Sequence, residues 1–162
     1  MTQTDALTFR TMQSQADADA FRSLNEEWIE RLFQLEDQDR KTLNDPYASI
    51  VARGGQVYLA VQAGQVVGCA ALVPASATTY EFSKMAVSPE HRGGGIGRQL
   101  LAYVIGQARV LDAETLYLGS NRKMPNAVHL YESFGFVHVP PDQLKGLLYE
   151  RCDVLMALTL ER

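Results

Sequence analysis

The chain has 162 residues, a formal net charge of −4 and 46% apolar residues. That is the length and balance of one globular domain, large enough to fold without a disulfide or metal staple. The acidic balance excludes nucleic acid as a main partner, no run approaches the roughly 20 apolar residues that span a membrane, and the opening MTQTDALTFR lacks the basic and apolar regions of a signal peptide. A single cytoplasmic domain covering residues 1–162 is expected, with no nucleic-acid or membrane partner. The two cysteines, Cys69 and Cys152, sit in apolar runs and read as reduced thiols packed in strands. Neither has a second Cys or a His at zinc-binding spacing, so no metal is expected.

In chain order, Leu7–Met12 reads as a short strand. A helix follows from about Asp17 to Gln34, with apolar positions at Ala20, Leu24, Trp28, Ile29, Leu32 and Phe33. Two shorter helices are expected at Asp37–Leu43, before Asp45-Pro46, and at Tyr47–Arg53, stopped by Gly54-Gly55. QVYLAVQ and VVGCAALVPA form a hairpin about a Gly64-Gln65 turn, and TTYEFSKMAV adds a third antiparallel strand ending at Val87. Alternation along that strand puts Glu81, Ser83, Met85 and Val87 on one face. Arg98–Leu111 has a helical period, ETLYLGS reads as a strand and Pro125–Phe134 as a helix. FVHV and CDVLMALTL supply the last two strands. The pattern predicts an α/β (α+β) fold, with a mixed, mostly antiparallel sheet of six or seven strands and helices on both faces.

The most informative stretch is KMAVSPEHRGGGIGRQLL, in which a strand leads through Arg92-Gly93-Gly94-Gly95-Ile96-Gly97 directly into a helix. Unpaired N–H groups at a helix N-terminus, together with its dipole, hold anions, and glycines let a phosphate approach the backbone. A nucleotide-hydrolysing loop would need Lys-Ser/Thr after the last glycine, where Arg98-Gln99 stand. The dinucleotide fingerprint fails in both registers, because its third glycine falls on Arg98 or Leu100.

The segment VSPEHRGGGIGRQLL resembles the acetyl-CoA motif of the GNAT superfamily, Arg/Gln-x-x-Gly-x-Gly/Ala, with Arg92, Gly95 and Gly97 in the fixed places. A second block, NAVHLYESFGF, resembles the later family motif through Ala127, Leu130, Tyr131, Glu132, Gly135 and Phe136. The resemblance covers roughly residues 57–160 and implies the acyl-CoA N-acyltransferase fold. It implies that residues 92–98 (Arg92, Gly93, Gly94, Gly95, Ile96, Gly97 and Arg98) hold the pyrophosphate of acetyl-CoA. It also implies that the backbone of Met85, Ala86 and Val87 meets the pantetheine arm. Many members carry Asn three residues before the helix alanine, where this chain has Met124; Asn121 and Asn126 flank that position, and either could reach the arm.

By the same resemblance Tyr131 is the general acid for the departing thiolate and Glu81 the base that takes the amine proton. Glu150 and Asp153, from the C-terminal segment, are the alternatives to Glu81. His91, His129 and His138 receive no role, and His91 is expected to be exposed. The first two helices would form one wall of the acceptor site, with Trp28, Phe33 and Glu36 as candidates. The acidity of that wall suits a cationic amine, although charges on a helix more often mark a solvated face, and Trp28 and Phe33 read more as core than as pocket. The reading that follows is an acetyl-CoA-dependent N-acetyltransferase acting on a small primary amine. A protein or peptide amino-group acetyltransferase and a non-catalytic acyl-CoA sensor are the alternatives, and a homodimer is compatible with all three.

Overall fold

The computed structural model describes residues 6–140 and 149–161. Strand β1 (Thr8–Thr11) leads into helix α1 (Gln15–Leu32), whose first turn is capped by the Ser14 side chain accepting from the Asp17 amide. Helices α2 (Asp37–Asn44) and α3 (Pro46–Ser49) follow, then a 3₁₀ turn at Val51–Arg53. Strands β2 (Gln56–Gln62), β3 (Gln65–Pro74) and β4 (Thr79–Val87) form the meander. After helix α4 (Ile96–Val110) come β5 (Thr115–Ser120), α5 (Pro125–Ser133), β6 (Val137–His138) and β7 (Val154–Thr159).

The strands make one seven-stranded sheet in the order β1-β2-β3-β4-β5-β7-β6. Only β4 and β5 run parallel; the other neighbours are antiparallel. The fold is therefore the expected one. Two sequence details need correction. The hairpin turn is Ala63-Gly64, both at positive φ, and Gln65 already pairs with Gln62. The buried stripe of α1 is Ala18, Phe21, Asn25 and Ile29, with Leu24 and Trp28 at its flank. Asn25 can be buried because its amide donates to the Phe21 carbonyl at 3.0 Å and accepts from the Trp28 indole at 3.0 Å.

Each face of the sheet has its own core. Helices α4 and α5 cover one, packing Leu100, Leu101, Val104 and Tyr131 on Tyr58, Leu72, Phe82 and Leu118. Helices α1 to α3 cover the other, packing Phe21, Ile29, Leu43 and Ile50 on Val57, Leu59, Cys69 and Ala86. Both faces are thus closed by helices, and the functional space lies where the sheet itself opens.

Candidate active site

The sheet opens between its two parallel strands. Pairing of β4 with β5 covers only Thr79–Thr115, Tyr80–Leu116 and Glu81–Tyr117. Beyond Glu81 no described strand pairs that edge of β4, so backbone groups there are available to a ligand, whereas β5 stays paired with β7 along its whole length.

A bulge on the other edge of β4 sets the geometry of this opening. Cys69 faces Ala86 and Ala71 faces Ser83, so the single residue Ala70 opposes the two residues Lys84 and Met85. Lys84 takes a positive φ of 58°, a conformation a lysine adopts only when its surroundings hold it there. The extra residue breaks the alternation. Tyr80 and Phe82, and beyond the bulge Met85 and Val87, contribute to the α4–α5 core, whereas Ala86 contributes to the α1 core. Glu81 and Ser83 therefore do not share a face with Met85 and Val87, contrary to the alternation read from sequence.

Lys84 turns toward α2. Its Nζ donates to Asp39 Oδ1 at 2.8 Å and to the Tyr149 hydroxyl at 2.9 Å. Arg151 forks onto the same carboxylate at 2.6 and 2.7 Å and reaches Glu36 at 3.3 Å. The Lys84 and Asp39 side chains are 2% and 0% exposed. Burial alone would raise the Asp39 pKa, but the two cations outweigh it and hold the carboxyl at about 2. Stability from this carboxylate is present above its ordinary pKa of 3.8 and is lost as pH falls through the depressed value.

Two adjoining spaces result. The first is a cleft of about 550 Å³ between the glycine loop, α1 and α5, lined in part by Met85, Ala86, Val87, Arg92, Gly95 and Gly97. Gly93 and Gly95 sit at φ 85° and 83°, left-handed values that explain two of the glycines. Gly95 caps α4 without a side-chain bond, so the amides of Ile96, Gly97 and Arg98 open the helix unpaired. A Cβ on Gly97 would stand 3.9 Å from Leu130 and 4.0 Å from Val87, narrowing the gap between α4 and α5. Free amides, a free strand edge and a narrow gap fit a diphosphate with an extended arm. Arg92 pairs with Glu27 of α1, and Arg98 is exposed over the Phe134 ring at 5.4 Å. Neither Arg98 nor Gly94 lines the cleft.

The second space is an inner cavity behind the β4–β5 opening, sharing Trp28, Met85 and Met124 with the cleft. Glu81 and Tyr131 both line it. Burial raises the Glu81 pKa against the pull of Lys84 and Arg151. Burial likewise raises that of the Tyr131 phenol, whose ring lies against Phe82 and Phe136 at 6.1 and 5.8 Å. The Tyr131 hydroxyl bonds to no described residue. Of the two asparagines, Asn126 lines the cleft, whereas Asn121 lines the inner cavity and has both amide atoms engaged, by the Lys123 amide at 2.8 Å and the Arg151 carbonyl.

Other expectations about the pocket change. Trp28 and Phe33 line the inner cavity and are not simply core, and Cys152 lines it from just before β7. Glu150 and Asp153 do not reach it: the Glu150 amide donates to Glu36, and Asp153 holds the Arg122 amide at 2.9 Å. His91 is half-buried in the cleft wall, and its Nδ1 is buried without a partner among the described residues. Asp39, Lys84 and Arg151 were missed altogether; Lys84 inside a strand was the only signal, since Arg151 lies in the polar turn before β7. Among the described residues no cluster of three or more His, Cys, Asp or Glu side chains is placed to hold a metal, and no helix is long and apolar enough to cross a membrane.

The acetyltransferase (GNAT) domain model matches residues 53–138, more than half of the chain, and the protein belongs to the GNAT acetyltransferase family. An amino-acid acetyltransferase of Pseudomonas syringae pv. syringae is 35% identical over 82 residues, which is 50% of this chain and 18% of that protein. The uncharacterised N-acetyltransferase YjgM of Escherichia coli K12 is 29% identical over 99 residues, 59% of each chain. The matched segment thus spans well under two thirds of these relatives. A GNAT-family acetyltransferase of Staphylococcus aureus Mu50 superposes with a TM-score of 0.86 at 19% identity, covering 96% of this chain and 100% of that one. The Salmonella typhimurium protein yncA, solved with its cofactor acetyl-CoA, gives 0.74 at 24% identity over 97% and 95% of the two chains. At these identities the solved structures bear on the fold.

Proposed function

We propose that this chain is a single-domain, acetyl-CoA-dependent N-acetyltransferase that acts on the primary amine of a small molecule. One observation supports the reading: the edge of β4 that no described strand pairs lies between the glycine-capped start of α4 and a cavity lined by the buried Glu81 carboxyl and by the Tyr131 phenol, which bonds to no described residue. When bound, acetyl-CoA supplies the acetyl group as a thioester and departs as a thiol.

The amides of residues 96–98 and the loop from Arg92 hold the diphosphate, and Met85 to Val87 align the arm along the open edge. Asn126, in the cleft wall, is the better placed asparagine for that arm. Glu81, ionised, accepts a proton from the incoming ammonium, directly or through one water, and frees its lone pair for the carbonyl carbon. Its raised pKa brings a carboxylate nearer the basicity this step needs. As the carbon–sulfur bond breaks, the Tyr131 O–H gives its proton to sulfur and takes one back from the nitrogen of the adduct, which becomes the amide; burial keeps the phenol protonated until the thiolate forms, while making it a weaker acid than a free tyrosine. The cavity is lined by Trp28, by β4 and β5, and by Tyr149, Arg151 and Cys152, a convergence of described side chains that supports a small acceptor over a peptide laid in a groove. Two free thiols accord with a reducing, cytoplasmic setting.

A thermal-shift and turnover experiment tests this. At a hundred times Kd, acetyl-CoA should add about 2.7 kcal/mol, or roughly 5–10 °C in Tm. An amine panel read by free-thiol release should then yield at least one acceptor. The absence of either response would overturn the proposal.

A further inference from the structure

Among the described residues, Trp28, Met85 and Met124 line both the cleft beside the glycine loop and the inner cavity, so they surround the passage between the two. The methionines are unbranched and re-pack readily, whereas an indole is rigid and turns about only two bonds. Trp28 is also the chain's only tryptophan.

A half-buried tryptophan on a surface helix can give its N–H to water. Trp28 gives it inward instead, to Oδ1 of Asn25 at 3.0 Å, and Asn25 is fully buried. The Asn25 amide group in turn donates to the Phe21 carbonyl at 3.0 Å and to Cys69 Sγ at 3.4 Å. Cys69, itself fully buried, donates to the Lys84 carbonyl at 3.6 Å. A buried chain of polar groups thus runs from the β4 bulge through Asn25 to the indole. The Phe33 ring stands at 89° to the indole, 6.4 Å away, and the Arg151 guanidinium lies over it at 5.5 Å.

The space behind this ring is small. The inner cavity measures about 60 Å³ against about 550 Å³ for the cleft, room for roughly four to six waters. An acetyl group and the reacting amine fill that room, and each further methylene must displace a wall. Phe82, Leu118 and Tyr131 belong to the α4–α5 core, and Lys84 and Arg151 are held on Asp39. Trp28 is a wall with open space on its other side, because it also faces the cleft.

We propose that Trp28, held in place by Asn25, sets the length of the acyl group that the protein accepts from coenzyme A, admitting acetyl and excluding butyryl. Trp28 acts by touching the acyl chain, and Asn25 is a positioning residue that acts through it. This inference rests on the acyl-CoA reading, which puts the thioester where the cleft meets the cavity.

The test is calorimetric titration of the full chain with coenzyme A and its acetyl, propionyl and butyryl thioesters, which needs no acceptor. Acetyl-CoA should bind at least about tenfold more tightly than butyryl-CoA, with propionyl-CoA between, because a filled site rejects added methylenes. Trp28→Leu should cut the acetyl-to-butyryl ratio to about threefold or less. Asn25→Leu, which removes the acceptor of the indole bond, should do the same and move the tryptophan emission to longer wavelength as the freed N–H turns to water. In the Trp28→Leu background, Asn25→Leu should change the ratio by less than about twofold, since a positioning residue has nothing left to position. A general loosening of the fold would instead weaken every thioester alike. Equal binding of acetyl- and butyryl-CoA by the wild type, or an undiminished ratio in Trp28→Leu, would overturn the inference, as would an Asn25→Leu effect that survives without the indole. Where a variant fails to fold, Trp28→Phe takes its place, and an unchanged ratio there overturns the inference as well. Equal binding of all thioesters removes this inference alone, whereas no binding of coenzyme A or any thioester removes the acyl-CoA reading with it. Graded binding without turnover of any amine supports this inference and overturns the acyl transfer.

Discussion

Replacing Gly95 by Asp and, separately, by Asn isolates the charge at the start of α4. Gly95 has φ 83° and ψ 6°, and a Cβ built on it meets no heavy atom within 4 Å. Either side chain therefore enters without a clash. The cost to the fold is that of an L residue in the left-handed region, about 1–2 kcal/mol and at the low end for Asn and Asp, or roughly 2–8 °C in Tm. The two variants share that cost and differ in one charge. The Asp carboxylate would lie against the unpaired amides of residues 96–98 and face both charges of a diphosphate. Two unit charges about 4 Å apart repel by roughly 1 kcal/mol in water and about 4 kcal/mol at an effective dielectric near 20. The loop from Arg92 to Gly95 is exposed, so the weaker half of that range applies. Two such pairs give about 2–3 kcal/mol, a loss of about 30- to 150-fold in affinity. Calorimetry with acetyl-CoA at low salt should show this gap between Asp and Asn, and added salt should narrow it. Affinities within twofold of each other at low salt would refute the assignment of these amides to the diphosphate.

Tyr131→Phe removes a hydroxyl that bonds to no described residue, so Tm should hold within about 2 °C. Acetyl-CoA affinity should stay within twofold while kcat falls about 100-fold; an unchanged kcat would remove the phenol from the reaction. Glu81→Gln should lower kcat/KM by about 10²- to 10⁴-fold, and the acid limb of the wild-type profile should lie above the ordinary carboxyl value of 4.5. The same substitution should stabilise the fold. A carboxyl whose folded pKa is raised gives its full stability below the unfolded value and loses it as pH rises through the folded one. Glu81→Gln should therefore melt above wild type near about pH 8, with the gap closing toward about pH 4; a gap that grows on acidification would contradict the burial argument.

Local pattern made most of the elements legible. Helix α4 has apolar residues at the spacing of one buried face: Leu100, Leu101, Val104, Ile105 and Ala108 are buried, whereas Leu111, next in the same period, caps the helix and is exposed. The glycine loop was legible as a strand-to-helix turn because that pattern is local and needs only consecutive residues. The bulge in β4 was not. TTYEFSKMAV alternates apolar and polar residues only as far as Ser83, and although the polar pair Ser83-Lys84 breaks the pattern, nothing in one strand's sequence shows that its neighbour supplies one residue against two. The charge network escaped for a related reason. Asp39 stands 45 residues from Lys84 and 112 from Arg151, and a carboxylate on a short polar helix is read by default as solvated. Asn121 and Asn126 were equivalent in sequence. They separate only when the turn after β5 is seen to use both ends of the Asn121 amide.

The bulge also explains why the charge network is needed where it stands. A regular β4 would keep Lys84 on the face of Tyr80 and Phe82, against the apolar packing of α4 and α5, and would turn Met85 and Val87 away from the glycine loop. Inserting one residue reverses both placements: Met85 and Val87 come to the cleft beside the glycine loop, and Lys84 passes to the α2 side. The cost is a left-handed lysine and a desolvated ammonium, neither of which persists unless its surroundings compensate. Asp39 compensates, and its other partner, Arg151, ties down the segment entering β7. The β4 backbone at the bulge, the inner-cavity wall and the segment entering β7 therefore all lean on the Asp39 carboxylate, with Glu36 holding Arg151 and the Glu150 amide beside it. A change at Asp39 would disturb all three at once, so its effects on coenzyme affinity and on turnover should not separate, whereas those of Gly95 should.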